Sequence, residues 1–264
     1  MSRRIGEKSV TATDWQEGAR WIAQLARAWH IAAKDMRTYY LKPPLISWGM
    51  LFPIVMIGAF YLRAPGDIRE AAPGLVALTV LFGATSVEAV AIAFEKRIGA
   101  MERLLMAPIA IYALLLGKTL SGVVFGTVTG LLIWLGSSLL WGLPLAPFGP
   151  ALIILLGSIT FALLGVLISL MMREVFDAMT VSNFVRFPMV FLCGVFLPLA
   201  AMHPALRAVA MLLPLTYTVD ALRQMSLGAG SFPVAASVAA SLGFAVALYA
   251  ATYKLMQHRL EDLL

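Results

Sequence analysis

Three patterns of apolar and polar positions succeed one another along the chain. In the first, Trp15, Ile22, Leu25, Trp29, Ala32, Met36 and Tyr39 recur at three-, four- or seven-residue spacing, with Glu17, Arg20, Gln24, Arg27, Lys34 and Thr38 on the other side. That spacing predicts an amphipathic helix. Its aromatic-rich face and basic face suit a helix lying in a headgroup layer, stopped at Pro43-Pro44 because the residue before a proline is pushed out of the helical region. The stretch from Met1 to about Thr13 reads as a loose basic tail. In the second pattern, six apolar runs follow: Leu45 to Leu62, Gly74 to Phe94, Thr119 to Trp141, Ala151 to Met172, Phe187 to Met202, and Pro233 to Met256. A span needs roughly 20 apolar residues to cross about 30 Å of hydrocarbon, and the fifth run is short for that. The third pattern is a charged insertion between the second and third runs, residues 95–108, a short helical pattern ended by Pro108.

The segment from His203 to Phe232 fits none of these, being long and strongly apolar where a solvated loop is expected. Pro198, Pro204 and Pro214 divide this region, and Ala205 to Leu213 and Thr216 to Leu227 each predict a brief helix. Irregular backbone at membrane depth is tolerated only when protein covers it, so an outer re-entrant hairpin is the expected arrangement.

Composition fixes the solvent. With 61% hydrophobic and 13% charged residues, the chain is far from a soluble domain, whose charged share is about 25%. Lipid offers backbone amides no partner, and a barrel would show alternating segments of about ten residues, so the spans must be helices. The expected fold is therefore all-α: a six-span polytopic membrane protein, with a tail and interfacial helix over residues 1–44 and a transmembrane domain over 45–264. With the N-terminus in the cytoplasm, inner segments hold sixteen of the Lys and Arg residues, Arg173 and Arg186 among them, and outer segments hold four: Arg63, Arg69, Arg207 and Arg223. The bias places both termini in the cytoplasm of a plasma (inner) membrane protein. The net charge of +6 then reflects topology and anionic lipid, with no nucleic-acid partner expected. No cleavable signal peptide is expected ahead of the first span. The single cysteine, Cys193, reads as a small buried apolar residue.

Candidate chemistry is sparse. Glu88 is the one charge well inside a predicted span, to be explained by a hydrogen bond from Ser or Thr on a neighbouring helix or by an ion site. Gly122, Gly126 and Gly130 lie along one face of the third span, a stripe that packs helices of this chain or of a second copy. Asp220 and Arg223, three apart, predict an ion pair at the outer boundary. Gly117-Lys118-Thr119 ends like a Walker A loop, but Tyr112 stands where its first glycine belongs. The histidines His30, His203 and His258 offer no metal-ligand spacing, so no metal or cofactor is expected in this chain. An intramembrane hydrolase lacks a base near its serines. An ion-coupled secondary transporter would have to rely on Glu88.

The run Glu95-Lys96-Arg97 through Met106-Ala107-Pro108-Ile109, followed by Leu116-Gly117-Lys118-Thr119-Leu120, resembles the cytoplasmic connector of ABC-2 type permeases. These are the membrane subunits of ATP-binding-cassette exporters. A second block is similar to that family's signature around its fifth span and outer hairpin: Phe191-Leu192-Cys193-Gly194-Val195-Phe196-Leu197-Pro198, then Leu212-Leu213-Pro214-Leu215-Thr216-Tyr217-Thr218-Val219-Asp220-Ala221-Leu222-Arg223. Family members often carry Glu-Arg-Glu followed by Gly-Thr-Leu-Glu where this chain has Glu-Lys-Arg-Ile-Gly-Ala-Met-Glu.

The resemblance implies a permease dimer, formed with a second copy or a related permease, above two ATPase subunits that hold ATP and Mg2+. It implies that Glu95, Lys96, Arg97, Ile98, Gly99, Met101, Glu102, Arg103, Leu105 and Pro108 couple to the motor. Ile98, Met101 and Leu105 form an apolar edge suited to a groove on the ATPase or to the interfacial helix, while Glu95, Glu102 and Arg103 set register by rim charge. Pro198, Pro214, Tyr217, Asp220 and Arg223 belong to the outer hairpin. The near absence of buried charge points to an amphipathic, lipid-like or polymeric solute.

Overall fold

The computed structural model describes residues 12–40, 43–63, 68–143, 148–172 and 174–261, and every regular element among them is helical. In chain order these are α1 (Ala12–Asp35), α2 (Pro43–Arg63), α3 (Ile68–Arg97), α4 (Ala100–Leu105), α5 (Ile111–Trp141), α6 (Phe148–Met171), α7 (Val175–Leu192), α8 (Pro204–Met211), α9 (Pro214–Leu227) and α10 (Val234–Glu261). The tail before residue 12, Arg173, and the side chains of Trp15, Glu17 and Arg20 lie outside the described residues.

The helix predicted from the first pattern is α1, which runs into a π-helical turn, Met36–Tyr40, just before α2. Ala28, Ile31 and Ala32 are buried against α5, while Trp21, Ile22, Leu25 and Trp29 are exposed. The approach to α5 is close because Gly117 stands at the crossing: a Cβ there would meet Ala28 O at 2.8 Å and Ile31 Cβ at 2.9 Å.

At the centre of the bundle is α3, packed on α2, α5, α6, α7 and α9. An all-round apolar helix is stable only when covered on every side or bathed in lipid, and α3 is covered. The glycine stripe of α5 makes this possible. A Cβ at Gly126 would sit 2.8 Å from Ala84 Cβ, and one at Gly130 would sit 2.5 Å from Val80 Cγ2 and 3.0 Å from Ile154 Cγ2. Gly126 and Gly130 therefore pack α5 on α3 and α6 of the same chain, and Gly122 is buried with them. Hydroxyls within the spans turn back on their own helices: Thr79 donates to Leu75 O at 2.8 Å, Thr85 to Leu81 O at 2.6 Å and Ser158 to Ile154 O at 2.8 Å. No polar group is thereby left facing hydrocarbon at these positions.

The fifth span differs from expectation. Instead of Phe187 to Met202, the helix runs from Val175 to Leu192. Gly194 takes φ +84°, a left-handed conformation only glycine adopts without strain, and the chain leaves the helix axis there. The apolar run continues past this break, so hydrophobicity alone misplaced the span toward the C-terminus. The shift has two consequences. Arg186, counted among inner-segment charges, lies within α7 and is buried, leaving fifteen inner basic residues (sixteen less Arg186) against four. Glu88 is also no longer the one charge deep in a span.

After α7, a 3-10 turn (Leu199–Ala201) leads to α8 and α9, which meet at 100°. Pro204 and Pro214 open these helices as first-turn residues, where a missing N–H is harmless. Leu206 and Val209 on α8 and Leu212 just after it are exposed, whereas α9 sends Leu215, Val219 and Leu222 into the core and packs on α3, α6 and α10.

Candidate functional site

The site begins where three helices end together. Asp35 closes α1, Glu95 lies in the last turn of α3, and Lys118 in the second turn of α5. Both carboxylates are 1% exposed, and Lys118 is buried with them. Lys118 Nζ lies 2.8 Å from Asp35 Oδ2 and bonds Glu95 Oε2. Lys34 Nζ lies 2.8 Å from Asp35 Oδ1 and donates to Glu95 Oε1. Two acids and two bases cancel, which is the condition under which charges survive burial. Burial by itself would pull Lys34 down, but hydrogen bonds and charge from Asp35 and Glu95 outweigh it and hold the ammonium above the ordinary lysine range.

From this cluster the connector projects. The chain leaves α3 after Arg97, turns at Gly99 with φ +68°, forms α4 and re-enters the bundle as α5. Each end is fastened. Lys96 Nζ donates to the carbonyls of Ser169 at 3.0 Å, Leu170 at 3.1 Å and Met172, at the C-terminal end of α6. On the other side Arg27 donates to Pro108 O, the Ala110 N–H donates to Gln24 Oε1 at 3.1 Å, and the Trp21 and Tyr112 rings lie 5.0 Å apart. Met101 and Leu105 are buried in a cluster with Ile31, Ile92, Leu114, Leu115 and Met256.

The residues expected on the connector thus divide. Glu95 is not a rim charge; it belongs to the buried cluster, because two ammonium groups meet it there. Lys96, too, turns inward, and Met101 and Leu105 face α1 and α5 instead of an outer groove. Exposed on the connector are Arg97, Ile98 (50% exposed), Arg103, Met106 and Pro108, with Gly99 and Glu102 half-buried. Sequence reading missed Lys34, Asp35 and Lys118 as a unit, and Arg27 and Gln24 as fasteners. The available signals were an aspartate in an otherwise basic helix face and a lysine at the threshold of a span.

Residues 27–227 match the family described as ABC-2 type transporter. The chain belongs to this family. The inner membrane transport permease YadH of Escherichia coli K12 is 26% identical over 255 residues, covering 90% of this chain and 95% of that protein. A probable multidrug ABC transporter permease of the same organism, YbhS, is 30% identical over 189 residues, covering 69% of this chain and 49% of that one. The matched region of this ABC-2 permease starts at Arg27, which fastens α1 to Pro108, and ends at Leu227, the last residue of α9. Ion cluster, connector and paired short helices all fall within it.

The remaining residues singled out from the permease sequence have definite places. The Walker-like Lys118 is held by two carboxylates and Gly117 is covered by α1, so neither is open to a phosphate. Glu88 is fully buried and accepts a 2.7 Å hydrogen bond from Ser121 Oγ on α5. Among the described residues Asp220 and Arg223 do not form the expected ion pair. Asp220 takes the backbone N–H groups of Ser231 at 2.7 Å and Phe232 at 3.0 Å, just ahead of α10, while Arg223 Nη2 donates to Gly194 O at 2.9 Å. Orphan amides before a helix and a carbonyl at a chain break are stronger claims on buried charge than a neighbour on the same helix. Tyr217 donates to Met211 O at 2.8 Å and Thr216 to Ala210 O at 2.5 Å, tying α9 to α8, which Pro214 starts off in a new direction; Pro198 opens the preceding 3-10 turn.

Proposed function

We propose that this permease is the membrane half of an inner-membrane ABC exporter, moving an amphipathic, lipid-like or polymeric solute outward while a separate ATPase subunit binds Mg2+ and ATP. The observation that carries this reading is the connector. Its root is locked to α1, α3, α5 and α6 by buried ion pairs and hydrogen bonds, and its free surface presents Arg97, Ile98, Arg103, Met106 and Pro108. A stiff element so rooted transmits a rigid-body movement of a docked motor to three spans at once. In this reading the connector and both termini face the cytoplasm, the exposed aromatic side of α1 lies among lipid headgroups, and the sharply bent α8–α9 pair is a re-entrant hairpin in the outer leaflet. The path runs between two copies of the chain or between this chain and a related permease.

The test is reconstitution with the cognate ATPase. Glu102→Lys and Arg103→Glu should insert normally yet uncouple ATP hydrolysis from efflux, measured in proteoliposomes. ATP-driven efflux at wild-type rate in both variants sinks the proposal, and efflux from vesicles lacking any ATPase establishes a secondary carrier instead.

A further inference from the structure

Outside the ion cluster lies another buried cation. Arg186 is the twelfth of the eighteen residues of α7, and it is 6% exposed. Phe82, whose ring centre is 5.5 Å from the guanidinium, stands midway along α3, fourteen residues from Ile68 and fifteen from Arg97. Arg186 therefore sits near mid-depth in the membrane. An arginine there costs about 3 kcal/mol or more to insert, and such residues mark transport paths. From Nη1, hydrogen bonds reach Ser86 Oγ at 3.3 Å and Asn183 Oδ1 at 3.5 Å, both longer than ordinary N–H···O bonds.

Beside Arg186 a cavity of about 190 Å³ opens between α2, α3 and α7, lined by Phe52, Phe82, Phe187, Ser182 and Asn183. Ser182 is 1% exposed, and its hydroxyl has no hydrogen-bond partner among the described residues. Its neighbour Thr180 turns back to Phe176 O as helical hydroxyls usually do. A cation, a waiting hydroxyl and an amide set among three phenylalanines form a receptor for a negatively charged head on an apolar body. The cavity is smaller than the roughly 300 Å³ of a drug-sized pocket. It holds the head and first carbons, leaving the rest of the molecule to Met179 and Phe187, the exposed apolar members of its lining.

About 12 Å farther along α2, Phe60 begins a larger cavity of about 780 Å³, lined by Arg63, Arg69 and Arg223 with Glu70. An anion released outward from Arg186 would meet a second group of cations there.

We propose that Arg186 recognises the anionic head of the solute, so that the cargo is an amphipathic carboxylate, sulfonate or phosphate; the assignment rests on the export reading above. The test uses the full chain in phosphatidylcholine nanodiscs with dansyl-undecanoic acid and its methyl ester as probes. The acid should bind at least about tenfold tighter than the ester, Arg186→Gln should abolish that preference and Arg186→Lys should keep part of it. Should Arg186→Gln fail to fold, Ser182→Leu and Asn183→Leu, which fill the cavity while retaining the cation, must weaken binding of the acid. Displacement of the probe by phosphatidylglycerol assigns the site to a phospholipid head; displacement by dodecyl sulfonate alone assigns it to single-chain anions. Equal binding of acid and ester by the wild type overturns the proposal whatever the variants do. ATP-driven efflux without anion preference would overturn this assignment and leave the export reading intact, whereas anion preference without ATP-driven efflux would remove only the export reading.

Discussion

Lys118→Met keeps most of the length of the side chain and removes the fully buried one of the two charges that bridge both carboxylates. In the native protein Lys118 Nζ lies 2.8 Å from Asp35 Oδ2 and also bonds Glu95. Without it the cluster passes from neutral to a net charge of −1, with Asp35 and Glu95 still 1% exposed. Removing one partner of a buried pair costs about 3–5 kcal/mol. Lys34 already pairs with both carboxylates and is 46% exposed, so water and its ammonium recover part of the loss, and about 3 kcal/mol is expected. For a chain of this size that lowers Tm by about 6–12 °C. The single cysteine reports it: Cys193 is buried, so a thiol-reactive fluorogenic dye stays dark until the bundle opens. Adding Asp35→Asn to Lys118→Met restores neutrality, and the double variant should be more stable than the sum of the single losses by about 1 kcal/mol or more. A Lys118→Met melting temperature within about 1 °C of wild type, or strict additivity in the double variant, would show that Lys118 does not hold the cluster together.

Glu88→Gln should leave transport largely intact, because a glutamine oxygen still accepts the proton of Ser121 Oγ; full loss of efflux in a folded protein would instead assign Glu88 to an ion path. In the glycine stripe, Gly130→Leu should lower stability by about 1–3 kcal/mol or more through collision with Val80 and Ile154. Gly136→Ala, where no atom lies within 4 Å of an added Cβ, should be neutral or stabilising in the same dye assay.

Membrane class, helix α1 and the short charged helix between α3 and α5 were legible because each is a local pattern: an apolar run, a helical period, a charged interruption. The ion cluster was not. Lys118 is 83 residues from Asp35 and 23 from Glu95, and read along the chain it was one basic residue at the edge of a span. Only the crossing of α1 over Gly117 brings the three together. Arg186 was misread for a related reason. Counting charges by segment assumes that span limits follow hydrophobicity, and Gly194 breaks the helix in the middle of an apolar run. Asp220 and Arg223 show the limit of spacing rules from the other direction, since three-residue separation permits a pair but cannot weigh it against unsatisfied amides elsewhere.

The three carbonyls that Lys96 gathers at the end of α6 restrict what kind of motion the bundle can make. A slip of one residue between α3 and α6 is a displacement of about 1.5 Å and would pull the ammonium out of its socket. Lys96 thus opposes sliding at that end more than it opposes tilting, so under the coupling proposed above the two helices would swing as a single plank about a pinned foot. A small rotation delivered there by the proposed motor would become its widest opening at the opposite rim, with no gear required between.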